Sequence, residues 1–319
     1  MATFQHESVL LEESIKALKV DPRGTYVDCT LGGGGHSRQL LDRLDEKGQL
    51  IAFDQDQWAI NNAKERFKTE IKQGKLLLVE ENFSQIKQVL QGLGFSEVAG
   101  VLYDLGVSSP QFDQAGRGFS YRYDAPLDMR MNQDQALSAR DVVNTWSFQE
   151  LYHIIRDYGE ERFAKGIARA IEKNRQQAPI ETTFQLVAII KEAIPAAARR
   201  TGGHPAKQTF QAIRIAVNQE FSVLETSLAG AADLLRPGGR IACITFHSLE
   251  DGLVARRFKA WSRPPRVPKN LPVAPGDLPQ AAFRMQPRKA IRPSAEEIAK
   301  NRRARSARLR VLERLPKES

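Results

Sequence analysis

Four consecutive glycines, Gly32–Gly35, stand between a β-rich run, Thr25-Tyr26-Val27-Asp28-Cys29-Thr30, and a helical segment opening near Ser37. Glycines in that position let the backbone take positive φ and let a ligand approach closely, while the helix start offers unpaired N–H donors. A second strand, Gln49–Asp54, ends in an acid about 20 residues later, where a carboxylate can accept the ribose hydroxyls of a nucleoside. Strand, glycine turn, helix and strand-end acid together predict a nucleotide-type ligand on an open α/β sheet.

The repetition continues. A helix is expected from about Asp56 to Lys72, a third strand at Leu76–Val79, a helix from Ser84 to Leu93 and a fourth strand at Val98–Asp104. Uninterrupted apolar strands of this kind belong to a parallel sheet covered on both faces. The next comparable strand, Gly239–Phe246, follows the turn Arg236-Pro237-Gly238-Gly239. Roughly 135 residues separate it from the fourth strand, whereas a βαβ unit needs about 30. The surplus is large enough for a small domain. Its pattern is helical: Phe163, Ile167, Ala170 and Ile171 recur at helical spacing, as do Phe184, Val187, Ala188 and Ile194 around an interrupting Lys191.

The boundaries predicted are therefore a discontinuous domain over 1–111 and 209–319 and a helical insert over 112–208. A helix from Thr209 to about Leu228 is expected to return the chain to the sheet. After a helix carrying Leu253, Val254, Phe258 and Trp261 and a Pro-rich stretch from Pro264 to Pro279, Phe283–Ala290 and Ala307–Leu315 read as a terminal antiparallel hairpin.

Charge is strongly asymmetric. From Arg256 to Ser319 there are 18 Lys/Arg and 5 Asp/Glu, a net of +13, while the other 255 residues carry 29 basic and 33 acidic groups, a net of −4. Such a segment suits contact with a polyanion, although a solvated basic tail has the same composition. Its Pro-rich character and the lack of a clean amphipathic helix argue against a membrane surface. No run approaches the roughly 18 apolar residues that span a bilayer, and the first residues lack a secretory leader. Two isolated cysteines, Cys29 and Cys243, and five histidines without ligand spacing point to a reduced, cytoplasmic, metal-free protein.

Nicotinamide dinucleotides and S-adenosyl-L-methionine (SAM) both use this layout. Asp28 ends the first strand four residues before the glycines, as methyltransferases place an acid near the methionine end of SAM. Ser37 stands where the dinucleotide fingerprint wants glycine or alanine. The terminal hairpin also fits a methyltransferase sheet better. The fold expected is a class I SAM-dependent methyltransferase, a doubly wound Rossmann-like sheet with a terminal antiparallel hairpin and an inserted helical domain.

The fourth strand runs into Asp104-Leu105-Gly106-Val107-Ser108-Ser109-Pro110-Gln111, beyond the strand C-termini where such sheets do their chemistry. The loop resembles the Asp/Asn/Ser-Pro-Pro-aromatic loop of base amino-methyltransferases, with Ser109 in place of the first Pro and Gln111 in place of the aromatic. An aromatic amine is a weak nucleophile whose N–H groups must be gripped by acceptors. Asp104, Ser108 and Ser109 are the candidate catalytic groups. His247, at the end of the fifth strand, is a candidate proton acceptor whose alternative is a structural hydrogen bond.

Longer runs make the resemblance specific: Thr30–Ser37, Asp104–Gln111, Arg117-Gly118-Phe119-Ser120, Pro126–Met131, Tyr158–Ala164, His204-Pro205-Ala206, Thr209–Ala212 and Phe246–Asp251. Along nearly its full length the chain resembles the bacterial 16S rRNA (cytosine-N4)-methyltransferase H family, also called MraW. The resemblance implies SAM-dependent N4-methylation of a cytidine in the decoding centre of small-subunit rRNA, with 16S rRNA, within the small ribosomal subunit, as partner. It implies SAM contacts at Gly34, Gly35, His36, Asp54, Phe83, Asp104 and Gln111. A DNA amino-methyltransferase and a SAM-binding RNA-binding protein without turnover are the alternatives. A homodimer is compatible with the sequence. Asp128 with Arg130, and Glu160 with Arg162, read equally as internal ion pairs and as RNA contacts.

Overall fold

A computed structural model describes residues 8–108, 111–112, 114–200, 203–265 and 280–316. The chain divides into two compact units, Met1–Gly106 with Val223–Ser319, and Val107–Ser222.

The first unit holds a seven-stranded sheet: β1 (Thr25–Asp28), β2 (Gln49–Asp54), β3 (Leu76–Glu80), β4 (Val98–Asp104), β5 (Leu235–Thr245), β6 (Phe283–Met285) and β7 (Arg308–Arg314), in the spatial order β3-β2-β1-β4-β5-β7-β6. The first five are parallel, while β7 pairs antiparallel with both β5 and β6. The fold is the α/β methyltransferase sheet expected. Strand order reverses between β1 and β4, the switch point at which open α/β sheets place their ligands. β4 is buried from Val98 to Tyr103 and β2 from Leu50 to Phe53, because helices cover both faces.

One face packs Leu10, Ile15, Leu40, Leu50, Leu102, Ile244 and Val311 into a single core. The turn expected at Arg236–Gly239 lies within β5, as an irregularity in its pairing: Val98 faces Leu235 but Gly100 faces Arg240, with Gly238 at φ 77°. Among the described residues no helix is long and apolar enough to cross a membrane.

Helix α1 (Leu11–Leu18) precedes the sheet, and α2 (Gly35–Leu41), α3 (Gln57–Arg66), α4 (Lys68–Lys72) and α5 (Ile86–Gly92) connect its early strands. The single helix expected over 56–72 is two, because Phe67, fully buried, leaves helical geometry between them. The terminal pair is not a tight hairpin. β6 is only three residues, ending ahead of Pro287, which has no N–H for a ladder. A short helix over Ala295–Lys300 and a 3-10 segment over Arg302–Ser306 intervene before β7.

The second unit is helical: α6 (Ala139–Thr145), α7 (Phe148–Asp157), α8 (Ala164–Arg175), α9 (Thr183–Ala193) and α10 (Lys207–Asn218). Three of these start where the sequence writes a capping box. Ser138 with Asp141, Ser147 with Glu150 and Thr182 with Gln185 each exchange side-chain and backbone hydrogen bonds. Leu151, Ile155, Ile167, Ile171, Leu186, Ile190 and Ile213 fill its core.

Three expectations shift here. The unit runs to 222 where the reading from sequence stops at 208, because Phe210, Ile213, Ala216 and Val217 of α10 join this core. The helix expected to continue to Leu228 breaks at Gln219, φ 50°, and α11 (Glu220–Leu234) starts afresh. On α9 the buried side is Leu186, Val187, Ile189 and Ile190. Phe184, placed on the apolar side by spacing, is 48% exposed.

Candidate functional site

Asp28, Asp54 and Asp104 end β1, β2 and β4 at one edge of the parallel sheet. Each does a different job around the glycine turn.

Asp28 is fully buried. Its Oδ2 accepts from Ser37 Oγ (2.7 Å) and its Oδ1 from the Thr30 N–H (3.0 Å), so it clamps both ends of the turn. Burial raises its pKa, against these hydrogen bonds. The methionine-end acid suggested by its position is thus engaged within the protein.

The turn itself needs glycine for stated reasons. Gly32 and Gly34 have φ of 50° and 75°, a region costly for side chains. A Cβ on Gly34 would lie 2.7 Å from the Phe67 ring, and one on Gly35 would collide with Ser8. Gly33 is different: a Cβ there meets nothing within 4 Å.

Asp54 accepts the Gly32 N–H at Oδ2 (2.9 Å) and the Asp56 N–H at Oδ1 (2.9 Å). Each carboxylate oxygen keeps further acceptor capacity. Burial, then the charges of Asp56 and Asp28, push its pKa up to about 6 despite those two donors. Close by, Asn82 donates to Gln55 Oε1 (2.9 Å), tying the ends of β2 and β3, and caps the 3-10 turn that begins at Phe83. The Phe83 ring stands edge-on to Tyr103 with centroids 5.8 Å apart.

Asp104 is held from behind by Thr30, whose Oγ1 accepts the Asp104 N–H at 2.7 Å. His36 Nδ1 lies 3.5 Å from Asp104 Oδ2, with the imidazole 5% exposed and the carboxyl-bearing side chain 22% exposed. Asp104 Oδ1 is buried and has no hydrogen-bond partner among the described residues. Burial, with the negative charges of Asp28 and Glu250, raises the Asp104 pKa to about 8. A buried carboxyl oxygen left unsatisfied is costly in a stable fold and common where a ligand or a reaction completes it.

The structure brings Gly34, Gly35, His36, Asp54, Phe83 and Asp104 together on the first unit. Ser108 and Gln111 belong to the second, where the Gln111 Oε1 accepts the Ser108 N–H (3.0 Å) and Gln111 is 6% exposed. Ser109 lies outside the described residues. His247 caps the helix Ser248–Trp261: its Nδ1 faces the Glu250 N–H at 3.4 Å and its Nε2 lies 2.9 Å from Glu250 Oε1. The sequence reading assigned no site role to Thr30 or Glu250, although they stand inside the Thr30–Ser37 and Phe246–Asp251 runs, and placed Phe67 only on the apolar side of its helix.

Asp128 and Arg130 form a bidentate pair, with N···O distances of 3.0 and 2.8 Å. Several C-terminal arginines also serve the fold. Arg308 and Arg310 pair with Asp251, Arg284 with Glu313, and Arg314 donates to the Leu235 carbonyl. Arg302, Arg303 and Arg305 are exposed.

Residues 3–315 match the model of the MraW methylase family. This chain belongs to the MraW methylase family. Curated relatives agree. The Ribosomal RNA small subunit methyltransferase H of Lactiplantibacillus plantarum is 57% identical over 99% of this chain and 98% of its own length. The protein of that name from Limosilactobacillus fermentum is 56% identical over 99% and 100%. A solved structure of an rRNA methylase from Streptococcus thermophilus aligns over 96% of this chain and 94% of its own, at 11% identity and a TM-score of 0.42. As a member of this methylase family the chain uses SAM as its methyl donor. The site fits that cofactor: open space above Gly33, an ionisable acceptor at the end of β2, and an unsatisfied carboxyl oxygen at the end of β4.

Proposed function

We propose that this chain methylates the exocyclic N4 of a cytidine in the decoding centre of 16S rRNA, acting in the cytoplasm. Relatives at 56–57% identity named for small-subunit rRNA methylation support the class of substrate. The observation that carries the chemistry is Asp104, with its buried, unpartnered Oδ1 and raised pKa at the switch point.

Bound SAM supplies an electrophilic methyl group on a sulfonium, which passes to the amine nitrogen as the C–S bond breaks. The protein's task is to present a nitrogen whose lone pair is delocalised into the cytosine ring. As a carboxylate, Asp104 accepts an N–H of that amine, localising the lone pair and fixing its direction. A proton must leave N4 once the new bond has formed, and the ionised form of Asp104 takes it; with a pKa of about 8 that form is the minor one at pH 7 and grows as pH rises toward 8. Thr30 and His36 hold Asp104 from either side.

Gly34, Gly35 and His36 are assigned to the methionine end of SAM, Asp54 to the ribose hydroxyls, Phe83 to the adenine face, and Gln111 to cofactor closure. Ser108 and Ser109 are assigned the second acceptor for the amine. His247 is engaged by Glu250 and is assigned the cap alone. The helical unit is assigned to substrate recognition. The DNA alternative finds no support in the names of the relatives.

The test is nucleoside mass spectrometry of small-subunit rRNA from cells lacking the gene, after incubation with the protein and SAM. N4-methylcytidine at a single site is expected. A methyl group on any other atom, or none on naked rRNA and assembled subunits alike, overturns the reading.

A further inference from the structure

The helical unit carries a groove of about 440 Å³ lined by Tyr121, Arg122, Phe184, Val187, Lys191 and His204. Its wall is a near-parallel pair of flat rings: Tyr121 and His204 stack at 4.3 Å between centroids with 9° between planes. Phe210 meets Tyr121 edge-on at 5.8 Å and backs the pair from the core.

The opposite side is built firmly. Thr183, fully buried at the start of α9, donates its hydroxyl to the Tyr123 carbonyl (2.6 Å) and accepts the Ala125 N–H (3.1 Å). The Phe184 N–H donates to Asp124 Oδ1 at 3.2 Å, which engages the nearest carboxylate in the segment. On this rigid frame Phe184 is nevertheless 48% exposed and Tyr123 53% exposed. Arg122 and Lys191 are exposed at the groove, and among the described residues no acid lines it.

His204 adds a further feature. Burial, with the charges of Lys191 and Arg122, lowers its pKa, so it is neutral at pH 7. Its Nδ1 faces the Ala206 N–H at 3.3 Å, which places the remaining proton on Nε2 as a donor. Neutral stacked rings beside two cations suit a ligand that has a flat π face and a negative charge one bond-chain away.

We propose that this groove is a stacking site for one unpaired nucleobase of an RNA strand, with Arg122 and Lys191 holding the adjoining phosphates. The inference rests on the reading that the substrate is RNA and adds where a single-stranded part of it docks. Base–aromatic stacking tolerates any base and is combined with cationic contacts to the backbone in single-strand binders.

The test uses an eight-nucleotide single-stranded RNA, the same length of strand with abasic spacers, and fluorescence anisotropy. Phe184→Ala removes an exposed ring and leaves the core alone, and Tyr121→Leu keeps apolar volume against Phe210. Each should weaken binding of the intact strand roughly tenfold. Wild type should lose a similar factor on the abasic strand, where the variants change little. Lys191→Ala should flatten the log K versus log[salt] slope by about 0.7. Circular dichroism melts confirm that the helices persist. Equal binding of intact and abasic strands by the wild type, or unchanged binding by Phe184→Ala and Tyr121→Leu together, overturns the site.

Methyl transfer by the wild type is measured alongside. Transfer to rRNA without base-dependent strand binding sinks this groove alone. Base-dependent binding without N4-methylcytidine sinks the reading of the reaction instead.

Discussion

His36 Nδ1 stands 3.5 Å from Asp104 Oδ2, joining the first turn of the helix after the glycines to the end of β4 across the switch point of the sheet. The pair fixes one carboxyl oxygen and leaves the other buried and unsatisfied. That asymmetry has a cost that titration should reveal.

The folded-state pKa of Asp104, about 8, lies above the ordinary carboxylate value of 3.8. Below pH 4 the group is protonated folded or unfolded and costs nothing. As pH rises to about 8 the unfolded chain ionises first, and stability is lost progressively. Asp104→Asn removes that term. Its stabilisation of the SAM-free protein should grow between pH 4 and 8 to about 1–3 kcal/mol, on the scale of mutations that relieve a buried, unpaired group. Denaturant unfolding at pH 5 and pH 8.5 checks this, and an equal or destabilising effect at both would remove the pKa argument.

Asp54 should behave differently. Asp54→Ala removes hydrogen bonds to the ribose hydroxyls and should weaken SAM binding by about 1.5–3 kcal/mol. With its pKa raised to about 6, wild-type affinity should also rise with pH through that value, since the ionised form is the better acceptor. Calorimetry from pH 5 to 8 reads both effects. Unchanged affinity in folded Asp54→Ala contradicts the ribose assignment.

Gly33 isolates the ligand's share of the glycine turn. A Cβ there meets no protein atom within 4 Å, so Gly33→Ala should leave the melting temperature within about 2 °C, the range of a neutral surface change. Close approach of the cofactor to this backbone should then appear as a loss of SAM affinity of at least about tenfold. A variant that binds SAM as tightly as wild type places the cofactor away from Gly33.

The glycine turn, its flanking strands and the strand-end acids are legible in sequence because each is a local signal: apolar β-branched runs, glycines and a carboxylate at fixed intervals. The limits of the helical unit are not. The periodicity of α10 shows that Phe210, Ile213 and Val217 share a face, but not which core buries it. Phe184 misled for the same reason, since spacing alone does not choose between adjoining stripes of α9. The short β6 and the helix inserted before β7 follow from Pro287 and a Ser294 cap, signals that the β-like run Phe283–Ala290 outweighed. In the site, the role of Asp28 was obscured because its partner, Ser37, lies on the far side of the turn.

Part of the basic excess is structural, so the polyanion surface is narrower than composition suggests. Arg308 and Arg310 are committed to Asp251, whereas Arg302, Arg303 and Arg305 are exposed. Neutralising those three together should reduce the salt-dependence slope of RNA binding by roughly 2, at about 0.7 per phosphate contact. A slope equal to wild type would make this segment a solvated face.

The most direct measurement is rapid-quench methyl transfer at saturating SAM and rRNA, comparing wild type with Asp104→Ala and Asp104→Asn, alongside equilibrium SAM binding. Orientation of a weak amine depends on placement within about 1 Å, whose loss costs on the order of a hundredfold. Asp104→Ala should therefore slow transfer at least about a hundredfold with a smaller loss of SAM affinity. Asp104→Asn should fall between, since the amide keeps one acceptor oxygen. Transfer at the wild-type rate once SAM is saturating would contradict the account, leaving Asp104 as a cofactor contact and moving the grip on the amine to the Ser108–Gln111 loop.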